Sequence, residues 1–305
     1  MSSYREEGVV LFPVVYAIHE IDQLKQVNPS EIIPLGSGAS LDETLKLALK
    51  KCSPLAIEGW AIYVQSANGN SSYGLFRSTT GILSTPLETL LIGNGEIDST
   101  PIILIHQILD KVVELRGTRG NRIVFNFTTR KNDDDSAIIN QSTFIDRLTL
   151  KGKNTDQLVN FYKRLFRHIL LHGHGNLIVV LDLEKSIPGF LNGKGIVLPS
   201  EIDVDTLIGN QLQDYNHLNT SALESAFRLS CGMLKSDGIT VFRNNGAVVG
   251  FNYLIEHLPE HQELFKGVIG GSRSKTFAIL EQKVRMKEIA AAYIQSQDGE
   301  IKISI

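Results

Sequence analysis

TDQLVNFYKRLFRHILLHGHGNLIVVLDL, residues 155–183, carries two hydrophobic periods back to back. In its first part Leu158, Val159, Phe161, Tyr162, Leu165, Phe166, Ile169 and Leu170 recur at three- and four-residue spacing, the wide apolar stripe of a helix that Thr155-Asp156 can cap. The Gly-rich stretch 172–176 stops that helix. Leu177–Leu183 is then a short, continuous apolar run, as expected of a strand covered on both faces. Helix followed by buried strand is α/β grammar, so the chain is expected to build a mixed sheet flanked by helices.

Downstream the same alternation continues. A helix is expected over Ser221–Met233, strands over Gly238–Arg243 and Ala247–Tyr253 around Asn-Asn-Gly, and a closing pair over Ile289–Ile294 and Glu300–Ile305. Upstream, Ser40 and Glu43 have capping-box spacing ahead of Leu41, Leu45, Leu47, Ala48 and Leu49, a helix ending by Pro54. Trp60–Val64 and Ser72–Phe76 flank Asn-Gly-Asn and read as a hairpin. A helix is expected over Pro101–Leu115 and a strand over Arg122–Thr128. The charged stretch 130–136, RKNDDDS, reads as a loop or boundary. Two domains follow, an additional α/β domain over 1–145 and a second over 146–305, with no internal repeat visible in the residues.

Composition narrows the function classes. A net charge of −3 in 305 residues gives no basic field for nucleic acid or an anionic membrane. No apolar run approaches the roughly 20 residues that span a bilayer, and the start MSSYREEGVV lacks the pattern of a signal peptide. Cys52 and Cys231 are the only cysteines, too few for a disulfide framework or a zinc site. A cytoplasmic protein with no nucleic-acid or membrane partner is the expectation.

Five landmarks in the second half then occur in a distinctive order: GNLIVVLDLE (175–184), GIVLPSEIDVDTLI (195–208), LKSDGITVFRNNGAVVGFNYLI (234–255), GGSRSKTFAI (270–279) and AAYIQSQDGEIKISI (291–305). In order and spacing they resemble the diadenylate cyclase domain of the DisA type, from about Asn154 to Ile305. Asp237-Gly238 stands at the family's Asp-Gly-Ala motif, Gly271 to Thr276 at its Gly-Thr-Arg-His-Arg motif opening a helix, and Ser296 to Asp298 at its Ser-Glu-Glu turn. The first half shows no such match.

The resemblance implies an adenine nucleotide, ATP or cyclic di-AMP, as ligand. In the family two ATP molecules condense, each 3′-hydroxyl attacking the other's α-phosphate as pyrophosphate leaves, so the site must orient a hydroxyl and neutralise phosphate charge. It assigns a catalytic and metal-holding carboxylate to Asp237, with Mg or Mn as the ion, and a second metal ligand to Asp298. Nucleotide contacts fall to Gly238, Gly271, Ser272, Arg273, Ser274, Lys275, Thr276 and Ser296, where backbone N–H groups at a helix start and hydroxyl or guanidinium donors suit phosphate oxygens.

The departures are specific. Ser236 replaces a frequent His, Ile239 replaces the Ala, Ser274-Lys275 replaces His-Arg, and Gln297 falls where the family has a metal-binding Glu. Lys does not reproduce the bidentate grip of Arg, and an amide binds divalent metal less well than a carboxylate. The expectation is a sensor with weak or no catalysis. The alternatives are an active diadenylate cyclase, which requires a homodimer because one protomer holds one ATP, and a protein interaction module with a dead pocket.

Blander readings stand beside these. Asp237-Gly238 alone is a turn. Gly36 to Ser40 reads as a capped helix start rather than a dinucleotide fingerprint, and Gly270 to Thr276 fails the Walker A spacing. His168, His172 and His174 read as a favourable helix C-terminus rather than a metal cluster, and the basic loop around Arg119 as a solvated connection.

Overall fold

The computed structural model describes residues 5–6, 9–27, 29–56, 59–67, 69–78, 102–109, 112–117, 121–127, 134–172, 175–191, 195–268, 270–296 and 301–305. The chain divides into two compact units, Met1–Asn132 and Asp133–Ile305. Both are mixed α/β.

In the first unit a short antiparallel pair, β1 (Arg5–Glu6) and β2 (Val9–Val10), precedes the sheet. The sheet strands are β3 (Val14–Ile18), β4 (Pro29–Gly38), β5 (Trp60–Ala67), β6 (Asn70–Ser78), β7 (Ile103–Leu109), β8 (Val112–Gly117) and β9 (Arg122–Asn126). They lie in the order β4-β6-β5-β3-β7-β8-β9. Only β3 and β5 run parallel.

Helix α1 (Leu41–Cys52) starts as its capping spacing requires. Ser40 Oγ accepts from the Glu43 N–H at 3.2 Å, and the Glu43 carboxylate accepts from the Ala39 N–H at 2.8 Å. Ala48 and Cys52 of α1 bury against Val15, Ile62, Val64, Tyr73 and Leu75 on one sheet face; Tyr16, Tyr63, Phe76 and Leu104 make the core of the other.

One expected element is overturned here. Where a helix is expected over Pro101–Leu115, residues 103–109 and 112–115 form strand instead, in β7 and β8, paired antiparallel through Ile105↔Leu115 and His106↔Glu114. The segment is dense in Ile and Val, which favour strands, and its burial alternates, with Leu104 fully buried beside Ile103 at 41% exposed. Apolar residues that close together satisfy a helical spacing as well as an alternating one.

The second unit contains α2 (Asp134–Leu148), α3 (Thr155–His172), β10 (Asn176–Leu181), β11 (Ile196–Ile202), α4 (Val204–Gln213), α5 (His217–Lys235), β12 (Ile239–Arg243), β13 (Val248–Tyr253), α6 (Ser272–Arg285), β14 (Ala291–Gln295) and β15 (Ile301–Ser304). Residues 134–148 thus form a helix, although the charged stretch 130–136 reads as a loop in the sequence.

The strand order is β11-β13-β12-β10-β14-β15. All six residues of β10 are buried, and it pairs parallel with β12 and antiparallel with β14. On one face Leu177, Val179 and Leu181 join Ile239, Val241, Ala292 and the α6 residues Phe277, Leu280 and Val284. On the other, the α3 stripe inserts Phe161, Tyr162 and Phe166, and rings meet edge-on: Phe166 lies 5.3 Å from Tyr293 and Tyr162 6.0 Å from Phe242. Each such burial contributes about 1.5–3 kcal/mol. Buried Asp205 fixes the turn before α3, accepting from the Lys153 N–H at 2.7 Å and the Asn154 N–H at 2.9 Å. Among the described residues, no helix is long and apolar enough to cross a membrane.

Candidate functional site

Asp237-Gly238 lies where α5 ends and β12 begins. Gly238 has φ +98°, and a Cβ there would stand 2.9 Å from both the Asn252 carbonyl carbon and the Tyr253 oxygen. Only glycine tolerates both conditions. The strand opposite is bulged: Ile239 pairs with Tyr253 and Val241 with Gly250, so three steps of β13 face two of β12. Asn252, in the bulge, has φ +61°, a left-handed conformation that Asn accepts better than most residues.

This geometry leaves the Asp237 side chain 84% exposed, and the Arg273 guanidinium donates to its Oδ1 at 3.2 Å. Two landmarks 36 residues apart are thereby joined. So exposed an ion pair adds little stability, so its significance is positional.

Arg273 sits in the first turn of α6, behind Gly270 (φ +138°) and the N-cap Gly271. A Cβ at Gly270 would collide with Ser274 Oγ. Helices α1, α4 and α5 are capped by the side chains of Ser40, Asp203 and Asn216, whereas Gly271 has none to offer. The N-cap side chain therefore covers none of the N–H groups of this turn, which lies at the positive end of the helix dipole.

From that turn the expected ligand residues diverge. Ser274, with Phe277 and Glu281 one and two turns on, lines a cavity of about 380 Å³ whose other wall is Ile294, Ser296 and Lys302. The structure thus brings Ser274 and Ser296 together, as it does Asp237 and Arg273. Ser272 is exposed. The Lys275 ammonium lies 5.6 Å above the Phe265 ring. Thr276 is buried, with its hydroxyl 3.0 Å from His257 Nε2, so it packs the helix rather than facing the cavity. Asp298 and Gln297 lie outside the described residues, as do Arg119 and His174.

His257 was not singled out in the sequence. It occupies the connection from β13 to α6, its ring 5.3 Å from Phe265. Burial, then the Lys275 charge, then His261 hold its pKa below the ordinary 6.5. The signal available was the pair His257 and His261, four residues apart ahead of the Gly-rich turn.

Among the described residues no group of three or more His, Cys, Asp or Glu could hold a metal ion. A magnesium ion carried by phosphates needs only one or two protein carboxylates, and exposed Asp237 suits that role. His168 lies 3.4 Å from the Lys235 ammonium, which disfavours a cation there. Cys52 and Cys231 are buried free thiols, both pushed up by burial, Cys231 to about 11. Neither is a nucleophile in that state. In the first unit the sequence reading also missed a buried pair: His106 Nε2 bonds to the Glu114 carboxylate, and Arg116 lies 3.5 Å from the same group.

Comparison of the chain with family models, with curated proteins and with solved structures gave no match.

Proposed function

We propose that the second unit is a diadenylate cyclase-like domain that binds an adenine nucleotide, ATP or cyclic di-AMP, and acts as a sensor with weak or no catalysis. The observation that carries this reading is the Asp237–Arg273 contact. It sets a carboxylate and a guanidinium side by side at the start of α6, the helix whose Ser274 lines a cavity with Ser296. Arg273, the first-turn N–H groups and Lys275 supply donors and positive charge for phosphates. The adenine preference comes from the resemblance of the five landmarks.

Weak catalysis follows from what stands in the site. A 3′-hydroxyl needs a carboxylate and a metal to become nucleophilic, and Asp237 already shares Oδ1 with Arg273. Ser274 offers a hydroxyl where the family has an imidazole. When bound, a magnesium ion would supply Lewis-acid activation; Asp237 would hold it, while Arg273 would balance the phosphate charge.

The exposed Asp237 also keeps the active cyclase as a second reading, and one test separates the two. Purified chain is incubated with ATP and magnesium or manganese, and cyclic di-AMP and pyrophosphate are sought by mass spectrometry, with Asp237→Asn as control. A product that vanishes in the variant establishes a cyclase. Thermal stabilisation by nucleotide without product, abolished in Arg273→Ala, establishes the sensor.

A further inference from the structure

The two sheets follow one plan. Six strands of the first unit, β4-β6-β5-β3-β7-β8, match the six of the second, β11-β13-β12-β10-β14-β15, place for place and in the same chain order. The one parallel pair falls at the same position in each, β3 with β5 and β10 with β12, and the other neighbours are antiparallel. Within the described residues only β9 is added to the first sheet. In both units the strand after the central one goes to the far edge, and helices lead back from it. Consecutive strands usually lie side by side, so this arrangement is unlike what two unrelated sheets would share by chance.

The register agrees at finer scale. Tyr63 pairs with Gly74, and Gly74 with Pro34; Val241 pairs with Gly250, and Gly250 with Val197. At both glycines a Cβ would run into an edge-strand carbonyl, that of Ile33 or of Ile196, and stand 2.8 Å from a tyrosine hydroxyl, Tyr63 or Tyr253. Both hairpins turn on a positive-φ glycine, Gly69 at +79° and Gly246 at +84°.

Carried along the strands, this register matches Ala61 with Ile239, His106 with Ile294 and Glu114 with Lys302. The site does not survive the transfer. Gly59 and Trp60 occupy the places of Asp237 and Gly238. Ala61↔Phe76 and Tyr63↔Gly74 leave no bulge in β6 to match the one at Asn252. Where Lys302 lines the cavity, the first unit has the Glu114 carboxylate, 2% exposed. That carboxylate is engaged by His106 and Arg116, so the first unit has no ammonium at the position of Lys302.

We propose that the chain is a tandem repeat of one sheet plan in which only the second copy carries an anion site, so that the whole chain takes one nucleotide. The site count rests on the nucleotide reading above; the repeat does not. Titration calorimetry of the full chain with ATP and magnesium should give one site per chain, weakened about 10- to 100-fold in Arg273→Ala. Two sites, or one whose affinity is unchanged in Arg273→Ala, would overturn the assignment. If no nucleotide binds, that reading fails, and the repeat is decided by hydrogen exchange on Gly74→Ala and Gly250→Ala. Each is expected to speed exchange tenfold or more in its own sheet, in β4, β6 and β5 for one and in β11, β13 and β12 for the other, with unfolding of that unit as the extreme. A Gly74→Ala chain that exchanges like the parent sinks the repeat.

Discussion

Phe76 and Phe166 lie in cores of different make on the same strand plan. In the first unit Phe76 meets Tyr16 edge-on at 5.3 Å, and α1 packs a mostly aliphatic layer around Tyr73 on the opposite face. In the second, Phe166 belongs to a lattice with Phe144, Tyr162 and Tyr293, built by α2 and α3 against the sheet. A strand order is held by backbone pairing and hairpin turns, so it tolerates either core. At matched register positions the two units nevertheless carry different groups, Glu114 in one and Lys302 in the other.

The comparison breaks most readily at the cores. Phe166→Ala should cost about 3–5 kcal/mol in the second unit, as truncation of a fully buried ring does. Two cores that are separate would give a denaturation curve in which only one transition moves; a common shift of both would refute their independence. Next in size, Glu114→Gln should cost about 1–3 kcal/mol, because His106 loses a buried charge-assisted partner. The matched change Lys302→Gln, at an exposed position, should stay within about 0.5 kcal/mol. Equal urea midpoint shifts for the pair would erase the contrast drawn between the two positions.

Arg273→Ala tests the site rather than the fold. Nucleotide affinity should fall about 10- to 100-fold, the range of a charge-assisted hydrogen bond, with stability within about 0.5 kcal/mol of the parent. The smallest effect concerns His257. Its folded pKa lies below the unfolded 6.5, so the folded chain binds fewer protons and stability declines as pH drops through 6.5 toward the folded value. His257→Gln should flatten that part of the pH profile, and an unchanged slope would show that His257 does not set it.

Much of the second unit was legible in its residues. The α3 stripe and the continuous apolar run of β10 have lengths and periods that fit one element type each, and Asp237 and Arg273 were marked by the order of the landmarks. The stretch 101–115 was misread because residues such as Leu104, Ile105 and Val113 satisfy two periods at once, and pairing across the sheet decides between them. The bulge at Asn252 and the contact of His257 with Thr276 arise through space, between segments whose local sequences give no sign of it. The shared strand plan is likewise invisible residue by residue, since Tyr63 matches Val241 and His106 matches Ile294.

The buried thiols have a practical consequence. Cys52 lies in the core of the first unit and Cys231 is buried in the second, and both are held protonated by burial. A thiol shielded in this way reacts with an alkylating reagent only when its surroundings open. The unaltered chain therefore carries two chemical clocks, one per unit, and the two labelling rates with and without ATP would time the opening of each half in a single sample.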